Sequence, residues 1–410
     1  MEASFECVSE STLEIDDDEE LMGLQRMTGE SDTDGLTPKL LLNEARMLRN
    51  IEVMNERLLG HGVAMRPHVK TAKSVPVIER MLAQQPDTRV TVSTLAEADA
   101  CVSAGMADFL YAVGMVPGKL AAIQSLNRRG GQGAVLIDSI EMAAALSTQL
   151  AATRASADDA SLRVFVELDV DGHRAGVHPN GPELIQIASA LVDSPSLELT
   201  GVMTHAGGSY HCRSGAELTA MAERERAGAV LAQERMMQAG LPCPVVSVGS
   251  TPTAMFARSF AGVTEVRVGV YVFQDLTMLG LGVCRMDDLA LSVLTTVIGH
   301  QPKRHCLLVD AGWMALSSDR STSHQGLDQG FGLVVGGETA GLIVSGANQE
   351  HGLISRRDGG PLDVSQYPIG SQLRVLPNHA CATAAAHPHY DVQCVDGSTC
   401  LLYTSDAADE

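Results

Sequence analysis

Between residues 63 and 271 the chain repeats one pattern, a short apolar run rich in β-branched residues and then a longer stretch with apolar residues every three or four positions. The short runs fall at 63–67, 89–94, 108–113, 134–138, 163–170, 197–205, 245–249 and 265–271. The stretches between them, such as 95–104, 140–150, 183–192 and the alanine-rich 216–239, have helical spacing, and another helix is predicted over 44–59. Eight strands alternating with helices are the arithmetic of a (β/α)8 barrel of the TIM type, an α/β fold. A doubly wound open sheet also alternates, but its GxGxxG turn is missing here. After residue 275 the helical spacing stops. Strands are predicted at 290–299, 306–309, 333–335, 342–345 and 372–376, separated by glycine turns, which describes a mostly antiparallel β domain.

Composition divides the chain further. At 410 residues it exceeds one ordinary core. The expected divisions are an acidic disordered tail at 1–35, the barrel at 36–275, the β domain at 276–400 and an atypical tail at 401–410. Residues 1–35 run from Glu2 to Asp34 with Arg26 as their only base, too charged and too poor in apolar surface to order themselves. The net charge of −21 argues against a nucleic-acid partner. No apolar run reaches the roughly 18 residues of a membrane span, and the start is acidic where a secretory signal is basic. Nine scattered cysteines without CxxC pairs point to a reducing cytoplasm.

A barrel carries its chemistry at the carboxyl ends of its strands. Lys70 stands at the first of these ends, in Arg66-Pro67-His68-Val69-Lys70-Thr71-Ala72-Lys73, where Arg66 and Lys73 supply the like charge that favours the neutral amine of a Schiff-base lysine. A solvated lysine is the ordinary alternative. Val248-Gly249-Ser250-Thr251-Pro252-Thr253 runs from a strand into a helix start, where backbone N–H groups and hydroxyls either cradle a phosphate or only cap the helix. A reactive lysine and a phosphate cradle in one barrel mouth suggest pyridoxal 5′-phosphate. Arg174 then projects toward the cofactor or Lys70, or pairs with a nearby aspartate, and Tyr210 either brings its hydroxyl over the mouth or packs its glycine-containing loop. In Pro377-Asn378-His379-Ala380-Cys381-Ala382-Thr383, an extended backbone places His379 and Cys381 on one face. An imidazole and a thiolate suit zinc, and two protein ligands leave the open positions that Lewis-acid catalysis requires; a buried cysteine beside a satisfied histidine is the alternative.

Together these runs, with Asp171-Gly-His-Arg-Ala-Gly176, Thr204-His205-Ala206-Gly207 and Glu265-Val-Arg-Val-Gly-Val-Tyr271, resemble the D-serine dehydratase and D-threonine aldolase family, from about residue 37 to 385. These are pyridoxal-phosphate enzymes with an alanine-racemase-like barrel followed by a β domain. The resemblance implies Lys70 as the Schiff-base lysine, phosphate contacts from Gly249, Ser250 and Thr251 and from Gly269, Val270 and Tyr271, and a catalytic divalent metal on His379 and Cys381. Zinc is expected there, with manganese or cobalt as alternatives. It also implies a homodimer. Neither terminus follows the family pattern.

The activity implied is a dehydratase, an ammonia-lyase, acting on D-3-hydroxy amino acids, which converts 3-hydroxyaspartate to oxaloacetate or D-serine to pyruvate. The family's aldolases typically have Asp at the position of Cys381, so the thiolate favours elimination over retro-aldol cleavage. A racemase would need a second base instead of the metal pair, and a non-catalytic pyridoxal-phosphate carrier would be a bare barrel.

Overall fold

The structure, a computed structural model, describes residues 36–153, 161–336 and 339–404; the expected acidic tail and residues 405–410 lie outside them. The first strand, β1 (Lys39–Asn43), precedes the barrel, whose strands are β2 (Ala64–Met65), β3 (Val90–Val92), β4 (Asp108–Gly114), β5 (Gln132–Ile137), β6 (Leu162–Leu168), β7 (Leu197–Thr204), β8 (Val245–Val248) and β9 (Glu265–Val266). All eight barrel strands lie within the stretches predicted for them or overlap them closely. They pair in parallel in the order β2-β9-β8-β7-β6-β5-β4-β3, and a parallel bridge between His68 and Thr91 closes the ring. The eighth strand is shorter than the periodicity implied. Beyond Val266 only single backbone bonds continue, Arg267 N to the Val248 carbonyl and His68 N to the Val268 carbonyl, and Val270–Val272 forms a 3-10 turn.

The helices form for local reasons. In Glu44–Gly60 the buried residues Met47, Ile51, Met54 and Leu58 recur every three or four positions on one face, and the Asn43 side chain accepts from Arg46 N at the start. Thr94 and Glu97 form a reciprocal cap on Leu95–Ser103. Inside the barrel the two walls differ. Leu110, Ala134, Leu136, Phe165 and Met203, from β4 to β7, pack an apolar cluster, whereas their neighbours Phe109, Val135 and Val164 face the layer beneath the helices. The wall made by β2, β8 and β9 is charged: buried Arg66 bonds Glu265 at 2.9 Å and Asp108 at 3.1 Å, and Glu265 also accepts from Ser247 Oγ at 2.7 Å and Arg89 at 3.3 Å.

The second unit contains β10 (Leu291–Gln301), β11 (Cys306–Val309), β12 (Gly332–Val335), β13 (Leu342–Ala347), β14 (Gly352–Arg356), β15 (Gln372–Pro377), β16 (His389–Gln393) and β17 (Thr399–Tyr403). Strands β14, β16 and β17 were not among the predicted ones. The antiparallel order β11-β14-β13-β12-β15-β10 closes on itself through a β10–β11 pairing, giving a six-stranded barrel. Closure is possible because β10 is long and shifts register between Val297 and Gly299: its first half pairs with β1 and its second half with β11. The expected boundary at residue 36 therefore moves. β1 lies in the second sheet, between β10 and β16, because Leu40 and Leu42 bury themselves there. The first residues of the expected C-terminal tail also fall in this sheet, as β17. Among the described residues no helix is long and apolar enough to cross a membrane.

Arg66 and Glu265 test the charged wall. Arg66→Leu leaves Glu265 buried with weaker compensation and should lower the unfolding free energy by about 3–5 kcal/mol, measured by urea denaturation. Adding Glu265→Leu should recover more than half of that loss, because it removes the uncompensated charge.

Candidate active site

Lys70 follows the β2 edge and lines a cavity of about 360 Å³ together with Arg174, Tyr210, Gly249, His379 and Cys381. That volume suits a small-molecule site. The like-charge neighbours expected for Lys70 are both occupied elsewhere: Arg66 points down the barrel to Glu265, and Lys73 pairs with Glu97 at 3.4 Å. Two other cations share the cavity, Arg174 at its mouth and, on the charged wall, Arg267, whose guanidinium donates to Ser247 Oγ and to the Thr204 carbonyl. Burial lowers its pKa to about 10 against the pull of Glu265 and Glu225.

The Gly/Ser/Thr turn is built for close approach. Gly249 has φ +129°, and a Cβ there would come within 2.4 Å of the Arg267 carbonyl oxygen. Its amide donates to Glu225 at 3.2 Å, and the Ser250 amide donates to Thr253 Oγ1 at 3.1 Å, so neither is spare for a phosphate. Ser250 caps the helix Thr251–Phe256, and Thr251 Oγ1 accepts from Tyr271 N. Gly269 and Val270 line the cavity. The Tyr271 side chain is buried outside the cavity lining with its hydroxyl unpartnered, so its link to the turn runs through its amide. Glu225, on the helix Gly215–Gln238, joins two loops by accepting from Ala206 N at 2.9 Å and from Gly249 N. Burial raises its pKa.

Arg174 sits at the mouth, 58% exposed, and its partner is Glu167 at 3.6 Å, not an aspartate. Tyr210 lies beside His205, with ring centroids 6.2 Å apart, on the loop that Ser209 Oγ ties to Ser250 Oγ at 3.2 Å. Burial raises the Tyr210 phenol. His205 bonds the Gly249 carbonyl through Nδ1 at 3.1 Å, and a carbonyl only accepts, so the proton is on Nδ1. Burial lowers His205 to about 3 and lowers His68 far below its usual value, so both are neutral imidazoles.

The segment 377–383 is not extended. β15 ends at Pro377, His379 caps the helix Ala380–Ala384, and Cys381 lies in its first turn. The two side chains converge because a cap residue and a first-turn residue can face the same point, not because they alternate on a strand. Thr71 Oγ1 lies 3.1 Å from Cys381 Sγ, which puts the lysine loop and the thiol against each other. His379 Nδ1 bonds Asp319 Oδ2 at 3.0 Å, and its ring lines the cavity together with Cys381. Burial opposes the His379 charge, yet Asp319 and Cys381 raise its pKa to about 11. Burial likewise opposes the thiolate, but His379, Lys70 and Thr71 hold Cys381 below its usual value. Buried Asp275 accepts from Met278 N and Ala380 N at 2.9 Å each, pinning this helix to the barrel.

Both groups implied by the sequence fit. The thiolate and imidazole form a zinc-type donor pair. His68 lines the cavity with a buried Nδ1 that has no protein partner, and the glycines open room for a cofactor. Sequence reasoning missed Arg267, Glu225, Asp275 and Asp319. Arg267 had a signal, a charge two positions from Glu265 in an otherwise apolar run; Asp319 had none.

A parallel barrel with a lysine after its first strand, closed over by an antiparallel barrel, defines the alanine-racemase-like class. The alanine racemase N-terminal domain family matches residues 42–276, and the serine dehydratase domain family matches residues 290–393. The chain belongs to the D-serine dehydratase and D-threonine aldolase family. It is 47% identical to D-threo-3-hydroxyaspartate dehydratase of Delftia sp. (strain HT23), over 88% of this chain and 95% of that one. It is 30% identical to D-serine dehydratase of Dictyostelium discoideum, over 87% and 93%. The solved Delftia structure superposes with a TM-score of 0.86, covering 90% of this chain and 97% of that chain. A mutant D-threo-3-hydroxyaspartate dehydratase, 46% identical to this chain with a TM-score of 0.85 over 90% of this chain and 97% of that chain, has been solved in a metal-free form.

The neutral histidines set a pH dependence. Below about pH 6.5 an unfolded histidine binds a proton that the folded one refuses, so the contribution of His205 is complete above 6.5 and lost as pH falls toward 3, and that of His68 is lost in the same direction. Each takes up to about 1.4 kcal/mol per pH unit in that window. Glu225 and Asp275, raised by burial, act in the opposite sense, so the test is a difference. Between pH 6 and 4.5, His205→Gln should flatten the fall of stability measured by denaturant titration.

Proposed function

We propose that the chain is a pyridoxal-phosphate- and divalent-metal-dependent dehydratase of D-3-hydroxy amino acids, converting D-threo-3-hydroxyaspartate to oxaloacetate and ammonia and also accepting D-serine. The observation that carries this reading is that Lys70 and the His379–Cys381 pair line one cavity, with Thr71 in contact with Cys381. The similarity to the Delftia enzyme over most of both chains supports the substrate. A cytoplasmic homodimer is part of the same reading.

Lys70 would hold the cofactor covalently, with Gly249, Ser250, Thr251, Gly269 and Val270 around its phosphate and Arg174 and Tyr210 toward its ring. Tyr271 supports that cradle through Thr251. His379 and Cys381 would hold the metal, zinc by donor type. When bound, the cofactor supplies an electron sink and the metal a Lewis acid for the departing hydroxyl. The chain's own work is to place and move protons. Lys70, freed by the incoming amino group, takes the proton from the substrate's α-carbon. His379 and Lys70 stabilise negative charge on Cys381 against its burial, which favours the thiolate a metal would need. The apolar lining, Ala112, Val113, Met203 and Met278 among it, limits water at the reacting carbons. The released enamine tautomerises and hydrolyses in solution to the 2-oxo acid and ammonia.

The thiolate at Cys381 supports elimination rather than aldol cleavage, and the barrel that closes over the cavity speaks against a bare cofactor carrier. Purified protein with defined metal content should release ammonia and oxaloacetate from D-threo-3-hydroxyaspartate; glycine in place of ammonia would make it an aldolase. Lys70→Ala should abolish the visible absorbance of bound cofactor and all turnover. Cys381→Ala should keep the absorbance but slow elimination roughly 10³-fold, the loss of several kcal/mol of charge stabilisation. Unchanged turnover of Cys381→Ala in chelator would remove the metal from the reaction.

A further inference from the structure

We infer that Asp319 is the positioning residue that holds the His379 proton on Nδ1, so that Nε2 is the ring nitrogen left to bind the metal. The inference rests on the proposed metal site at His379 and Cys381 and adds a residue to it that belongs to neither ligand.

Asp319 Oδ2 lies 3.0 Å from His379 Nδ1. A carboxylate only accepts, so Nδ1 keeps its proton, and Nε2 is the ring nitrogen that yields its own proton to a metal. His379 and Cys381 line the same cavity, so the second ring nitrogen and the sulfur are available to one bound ion. The described residues hold no group of three or more His, Cys, Asp or Glu side chains that could bind a metal. With two protein ligands, one in the wrong tautomer leaves a single donor.

Asp319 is itself held rigidly. Its Oδ1 accepts from Ser321 N at 2.7 Å and from Ser321 Oγ at 2.5 Å. Its carbonyl accepts from Asn378 Nδ2 at 2.9 Å, and Asn378 is the residue before His379. Asn378 is fixed in turn by Thr322 and by the Gly330 carbonyl. The carboxylate and the imidazole it directs are therefore locked to each other through the backbone.

These bonds make the two simplest substitutions differ in an unusual order. In Asp319→Asn the backbone N–H of Ser321 can meet only an oxygen, so the amide oxygen takes the Oδ1 place and the NH2 faces His379. That NH2 donates to Nδ1 and drives the proton to Nε2, where the metal should sit. Asp319→Ala merely leaves the ring free to take either tautomer. The near-isosteric change should therefore be the more damaging one. A packing role for Asp319 gives the opposite order.

The measurement is the zinc affinity of the cofactor-loaded protein by competition with a chromophoric chelator. Relative to wild type, Asp319→Ala should bind zinc about 10-fold more weakly and Asp319→Asn about 100-fold more weakly, the span seen when a ligand's supporting partner is lost. Excess zinc should restore turnover to Asp319→Ala, and cofactor absorbance should stay unchanged in both. The Asp319 side chain is 26% exposed, so neither change empties a core position. Asp319→Asn binding zinc as tightly as wild type, or more tightly than Asp319→Ala, overturns the inference. His379→Ala is the control: zinc affinity equal to wild type in that variant overturns the underlying metal site instead.

Discussion

The seam between the two barrels is the constraint on which the chemistry depends. Thr71, one residue beyond Lys70, meets Cys381 across it, and Asp275 grips the helix that carries Cys381 by accepting from Ala380 N. Tyr390, fully buried, donates to the Ala72 carbonyl at 2.6 Å from the other side of the same loop. Two groups from the second unit, Cys381 and Tyr390, thus hold a loop of the first, and Asp275 of the first unit holds the helix that carries Cys381. A buried hydrogen bond of this kind adds little net energy but is costly to leave unmade, so the two barrels have one favourable register. In that register the amine and the sulfur face one cavity.

The cavity is polar in a controlled way. Its charged wall puts Arg267 under the site, while burial keeps His68 and His205 neutral beside it. Neutral imidazoles accept or donate hydrogen bonds without adding a positive charge to a region that already contains Lys70, Arg174 and Arg267. The negative side is equally ordered: Glu225 is turned into the backbone of two loops, and Asp275 into two helix starts, so neither carboxylate competes for the metal pair. Charge is spent on holding backbone in place, and the cavity is left with groups that can react.

Much of the fold was legible from periodicity alone. The alternation of short β-branched runs with amphipathic stretches gave the eight strands of the first barrel and their helices, because period two and period 3.6 are local properties of a chain. The glycine-separated runs after residue 275 marked most of the second sheet. Strands β14 and β16 escaped because they are short and polar on one side, as in Gly352–Arg356. The placement of β1 escaped for another reason: its neighbours β10 and β16 lie about 250 and 350 positions away, and nothing in Lys39–Asn43 says which sheet it will join.

The same division holds for the site. Lys70, the Gly249 turn and the His379–Cys381 pair could be picked out in the sequence because reactive side chains at strand ends and glycines in turns are local signals. Their convergence, the helical rather than extended backbone at Cys381, the diversion of Tyr271 from the cavity and the service of Asp319 and Glu225 could not. Those depend on contacts between residues far apart in the chain, where an aspartate in a loop looks like any solvated carboxylate until the fold sets an imidazole beside it. Sequence determined which chemical groups the protein owns and where its elements begin; tertiary structure decided which of them meet, since only packing brings distant side chains within hydrogen-bonding reach.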